Sequence, residues 1–361
     1  MSVVKTPLRL ALLLASSAAS ATTPPLRTPT VLEVTNVYDA VVDRFGIVYT
    51  TSEAGVRRFD LRNGAELPPL QLPGADVRTL ALDPAGCRLA ISDVSGIQQG
   101  VWVLENLSTS SPRKILFPQV TFFGGYGSFS VIWESADSLL SSSINPETGG
   151  SPIRRTSVSS GGVEDVLVAG KNVMLAAAAN GKRWARVEAG NGEGPLQLWD
   201  IPTRSVLDQV DVGLSTYEVA ISKDGDVVTV PTYAGAIVFD VIGGQLARRA
   251  APLGAYSDWG VIGMVFSPHT TASFAAVGGW DPPDRGVFMY PDYSFLAPVR
   301  LDPAQFTWSI RALDYGRTRM SADGRLLLIT QPDHLLIYDV AEWGADPHAV
   351  FSDGNECSAW R

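Results

Sequence analysis

One event recurs along this chain and limits what it can fold into: an apolar run that stops at an acidic or turn-forming residue. "VRRFDLRNG" stops at Asp60, "VWVLENLS" near Glu105 and "PIRRTSVSSGG" near Ser157. "LQLWDIPTRS" stops at Asp200, "AIVFDVIGG" at Asp240, "GVFMYPDYS" near Pro291 and "LLIYDVAEW" at Asp339. The seven stops lie 45, 52, 43, 40, 51 and 48 residues apart. A period of that length is one four-stranded supersecondary unit, repeated.

A second signal precedes each stop. Tight turns sit between two apolar runs at Asp43–Gly46, Asp83–Gly86, Lys223–Gly225, Ser267-Pro268 and Ala322–Gly324. Asp-Gly pairs favour the positive φ angles that short hairpins need. Blade three offers Ser135–Asp137 for this turn, and blade four Gly170–Asn172. Each unit therefore reads as inner strand, turn, second strand, variable loop, third strand, turn and outer strand. No long 3.6-residue periodicity follows residue 21, so helix is minor. The reading is all-β: a seven-bladed β-propeller of four-stranded antiparallel blades over residues 31–351, since one blade cannot bury both faces and a closed ring of blades can.

The "S-x-D-G" turns (Ser222–Gly225, Ser321–Gly324) and the strand ends Trp199-Asp200, Phe239-Asp240 and Tyr338-Asp339 resemble the WD40-like and YVTN-type β-propeller superfamily. A WD40 repeat also carries an early Gly-His pair whose His joins an internal hydrogen-bond network. The three histidines here, His269, His334 and His348, do not follow a Gly at that position. The resemblance therefore carries shape and not the partner logic of intracellular scaffolds.

Residues 1–21 are different in kind. Lys5 and Arg9 precede "LALLLASSAASA", which ends in a small-x-small triplet, Ala19-Ser20-Ala21. That order predicts a secretory signal cleaved after Ala21; an N-terminal membrane anchor is the alternative, though the run is short for about 30 Å of hydrocarbon. Residues 22–30 then form a linker and 352–361 a C-terminal tail. The expected location is secreted or periplasmic, with no membrane span in the mature chain. Loss of the two leader cations moves the net charge from −9 to −11. An acidic protein without a basic block is not expected to bind nucleic acid.

Ring closure brings the termini into one blade. "TVLEVTN" (30–36) is one candidate for the last outer strand and "PHAVF" (347–351) the other. The chain has two cysteines, Cys87 and Cys357. In an oxidising compartment they invite a Cys87–Cys357 disulfide, with two separate thiols as the alternative.

Candidate binding residues fall in the loops on the face where the inner strands begin. Tyr38-Asp39 and Tyr217-Glu218 take matching positions in blades one and five. Blade six adds Asp258 and Trp259 in "GAYSDWG", and Trp280, Asp281, Asp284 and Arg285 in "GGWDPPDRG". An aromatic and acidic rim suits a protein or glycan, because Trp and Tyr offer rigid area with a polar handle. No catalytic constellation is evident: there is no G-x-S-x-G elbow, and three scattered histidines do not make a metal site. The expected function is an exported, non-catalytic binding module without a cofactor. The alternative is a propeller hydrolase of the lactonase type with a channel-bound Ca²⁺, for which Asp39, Glu218 and Asp258 would supply oxygens.

Overall fold

The computed structural model describes residues 28–52, 54–93, 100–107, 112–116, 130–142, 151–169, 173–188, 194–214, 216, 218–232, 235–249, 261–277, 286–295, 298–302, 317–331 and 334–344. Seven antiparallel four-stranded sheets follow one another around a ring. Blade one is β2 (Asp39–Val42), β3 (Ile47–Ser52), β4 (Gly55–Asp60) and β5 (Ala65–Leu67). Blades two to six repeat that order as β6–β9, β10–β13, β14–β17, β18–β21 and β22–β25, beginning at residues 77, 131, 173, 220 and 261. Blade seven is β26 (Thr318–Met320), β27 (Leu326–Thr330) and β28 (His334–Asp339), completed by β1 (Thr30–Glu33). Strand β1 pairs with β28 from Thr30↔Ile337 to Glu33↔His334, so the N-terminal candidate closes the ring. A single helical turn, α1 (Ala341–Gly344), follows β28. Among the described residues no helix is long and apolar enough to cross a membrane.

Strand alternation explains why a ring forms. Successive side chains of a strand point to opposite faces, so every middle strand feeds two interfaces. In β20 (Gly235–Ile242), Ile237, Phe239 and Val241 pack toward blade four, and Ala236 and Val238 toward blade six. In β23 (Ser273–Val277), Ala275 and Val277 face blade five while Phe274 and Ala276 face blade seven. Seven apolar clusters result, one between each pair of neighbouring blades. Trp199 lies in the cluster between blades three and four, stacked on Trp184 at 4.8 Å between ring centres. Its neighbour Asp200 ends the strand, and its Oδ2 accepts from Thr203 N at 2.8 Å and Thr203 Oγ1 at 2.6 Å. That carboxylate is what fixes the following turn.

The inner hairpin turns share one device. The residue after the inner strand donates its N–H across the turn, as from Asp43 to Ile47 O and from Ser222 to Val227 O. In blades one, two, five, six and seven its side chain also accepts from amides that follow. Asp43 Oδ1 takes Phe45 N and Ile47 N at 2.8 and 2.9 Å. Asp83 Oδ1 takes Cys87 N and Arg88 N at 2.7 and 3.0 Å. Ser222 Oγ and Ser321 Oγ do the same in blades five and seven. In blade four the turn is not at Gly170–Asn172, which lies outside the described residues and between the last strand of blade three and the first of blade four. It is at Asn180-Gly181, with Gly181 at φ 67°. An Asn-Gly pair is a strong hairpin signal; it was masked by the apolar run beside Gly170.

Candidate functional site

Counting back four residues from each turn position marks one level of the channel mouth: Asp39, Thr79, Ser130, Met174, Glu218, Gly263 and Arg317. Asp39 and Glu218 are thus equivalent positions in blades one and five. Both are buried in the channel, at 0% and 3% exposure. Arg319, two residues deeper in blade seven, bridges them. Its Nε lies 3.1 Å from Asp39 Oδ1 and its Nη2 3.3 Å from Asp39 Oδ2, while Nη1 reaches Glu218 Oε1 at 2.5 Å. Asp39 also accepts from the amides of Ala40 and Leu80, at 3.0 and 3.1 Å, and needs nothing further. Glu218 is less complete: its Oε2 is buried and has no hydrogen-bond partner among the described residues.

Gly263 makes this convergence possible. A Cβ there would stand 2.3 Å from Thr318 Oγ1 and 2.9 Å from Glu218 Oε2. Arg317 completes the cluster from blade seven, with Nη1 3.3 Å from Met174 Sδ across the ring. Burial raises the pKa of Glu218 despite the pull of Arg319 and Arg317. Burial, reinforced by the charge of Arg319, lowers that of Arg317. For Arg319 burial works against the charged form, but Asp39 and Glu218 outweigh it and hold the guanidinium protonated.

Below this level the channel encloses a cavity of about 500 Å³. Its wall is mostly apolar, and at the far end it reaches Pro84, Lys223, Pro268 and His269 on the face of the tight turns. There the turns hold one another. Lys223 Nζ donates to His269 O at 2.6 Å, His269 Nε2 lies 2.7 Å from Ala322 O, and Asn180 Nδ2 donates to Asp224 O at 2.6 Å. Cys87 lies in this face, buried, beside the Gly86 turn.

Of the sequence-predicted rim, Tyr38 is half-buried with Arg78 over its ring at 4.3 Å. Tyr217, Asp258, Trp259, Trp280, Asp281, Asp284 and Arg285 lie outside the described residues, as does Cys357. Among the described residues, no group of three or more His, Cys, Asp or Glu stands ready for a metal ion. Sequence reasoning missed Arg317 and Arg319. The signal was available: both fall at inward register positions counted from the Ser321 turn, where the other blades place small or apolar residues at the deeper level.

No protein-family model matches the chain, and no curated protein matches it in sequence. Among solved structures, the chain is similar to a chain in the crystal structure of a mitotic checkpoint complex. The TM-score is 0.63 at 17% identity, covering 93% of this chain and 99% of the other. That likeness, with the seven sheets, defines the class by fold: a seven-bladed β-propeller of four-stranded antiparallel blades.

Proposed function

We propose that the chain is an exported, non-catalytic interaction module that binds a protein or glycan partner through its loop-rich face. The observation that carries this reading is the asymmetry of the two faces. One face is closed by tight turns tied to one another through Lys223, His269 and Asn180. The strand order leaves its long connections, residues 117–130, 249–260 and 303–317, between the outer strand of one blade and the inner strand of the next, and we assign the binding face there. Binding residues concentrate on such loops when a rigid scaffold presents them. Trp259 and Trp280 lie outside the described residues, and we assign them to the binding face. The similar structure's being a complex is in keeping with a propeller used for assembly. What favours this reading over a channel Ca²⁺ hydrolase is that Asp39 and Glu218 already share Arg319.

Export rests on the leader-like residues 1–21 and is supported by the cysteines. Cys87 is not a free thiol among the described residues, and Cys357 is the only other cysteine of the chain. The chain leaves β28 on the tight-turn face, where Cys87 sits, so a Cys87–Cys357 bond would staple the tail to blade two. The test is to replace Trp259 and Trp280 together by Ala and to isolate the secreted protein with its bound partner. The expected result is loss of the partner with an unchanged melting temperature, from a chain beginning at Thr22. An unchanged partner profile would refute the binding face, and a chain retained inside the cell with Met1 would refute export.

A further inference from the structure

We infer that the central channel is a binding site for a small neutral molecule with an apolar body and one amide or hydroxyl end. This is separate from partner binding on the loop-rich face. The cavity, about 500 Å³, is of the size that takes a small organic ligand. Its wall is apolar where Ile132, Ala176, Ala220 and Val265 come from four different blades. Polar groups stand at the two ends, Glu218 and Arg319 at one and Lys223 and His269 at the other, with the apolar wall between them.

At the Glu218 end two hydrogen-bonding positions are left over. Glu218 Oε1 is taken by Arg319, but Oε2 is buried without a partner among the described residues. Buried polar atoms are rarely left so, and each asks for an explanation. Arg319 has five N–H donors. Its contacts use Nε toward Asp39, Nη1 toward Glu218 and Thr318 O, and Nη2 once toward Asp39. One Nη2 N–H is left, on a side chain that lines the cavity and keeps 26% of its surface exposed. An acceptor and a donor thus stand side by side. Gly263 is the reason there is room, since any Cβ would press on Glu218 Oε2 and Thr318 Oγ1.

That pair selects its ligand by charge as well as by shape. A carboxylate offers no donor to Oε2 and meets the carboxylates of Glu218 and Asp39. An ammonium offers no acceptor to Nη2 and meets Arg319 and Arg317. A primary amide donates to Oε2 and accepts from Nη2, and a hydroxyl does both with one oxygen. At the opposite rim Lys223 Nζ donates to His269 O and His269 Nε2 lies against Ala322 O, which ties both side chains to the turn face.

The experiment is isothermal titration of the purified protein with octanamide, 1-octanol, octanoate and octylamine at pH 7.5. Octanamide and 1-octanol should bind one per chain, with the two charged probes at least about tenfold weaker, the cost of one mispaired charged hydrogen bond. Ala176→Phe fills the wall and should abolish binding while the circular dichroism spectrum and melt stay as in the wild type. Ile132→Phe fills the same space from blade three if the first variant does not fold. Three results overturn the inference: octanoate or octylamine binding best, binding undiminished in a folded wall variant, or no probe binding, which would leave Oε2 to an ordered water.

Discussion

At the scale of single residues, the channel mouth shows charge kept buried by geometry. Asp39, Glu218 and Arg319 are far apart in sequence and meet only because three blades aim their inner strands at one axis. Burying the Glu218 carboxylate has a measurable consequence. The pKa of Glu218 is raised in the folded chain, so the native state holds its proton longer than the unfolded chain does. Its stabilising contribution is present at low pH and declines as pH rises from the ordinary carboxyl value toward the raised one. Glu218→Gln carries no ionisation, so it should gain stability relative to the wild type as pH climbs through that window. Urea midpoints of both proteins between pH 4 and 8 check this. A difference that stays flat with pH would show that Arg319 fully offsets the burial of the carboxylate.

At the scale of elements, the turns carry the repeat more faithfully than the strands. Asp43, Asp83, Ser222 and Ser321 are different residues performing one task, accepting amide protons inside a tight hairpin. In the Asn180-Gly181 turn Asn180 Oδ1 accepts from Lys182 N at 2.9 Å, and Gly181 supplies the backbone freedom. Nothing lies within 4 Å of a Cβ built on Gly181, whose φ is 67°. Gly181→Val should therefore cost about 1–2 kcal/mol, the left-handed penalty of an L side chain. Gly225→Val should cost more, because there a Cβ also meets Arg183 Cδ at 3.0 Å. Chemical denaturation of the two variants gives the ranking, and equal losses would mean that Arg183 moves aside freely.

At the scale of the whole molecule, stability depends on closure. Each interface is shared by two blades, so an opened ring exposes the cluster between blades seven and one, with Val34, Val37, Leu328 and Ile337. Strand β1 supplies the fourth strand of blade seven and its Leu32 packs on that cluster. A chain beginning at Val37 should lose the single cooperative unfolding transition, read by circular dichroism in urea. An unchanged midpoint and slope would mean that the ring holds without its N-terminal strand.

The sequence by itself determined the blade count and the blade plan. Both follow from local rules, the alternation of strands and the turn chemistry of Asp-Gly and Ser-x-Asp-Gly, which act within about ten residues. It was also enough to place Asp39 and Glu218 at matching positions. It misplaced one turn, because Gly170 beside an apolar run imitates the signal that Asn180-Gly181 carries. Only the tertiary structure decided that β1 closes the ring, that Arg319 bridges the two carboxylates, and that Glu218 Oε2 is buried at a cavity without a partner among the described residues. Those facts depend on which strands become neighbours after a full turn of the ring, and on side-chain reach across a channel. Neither is a property of any local stretch of chain.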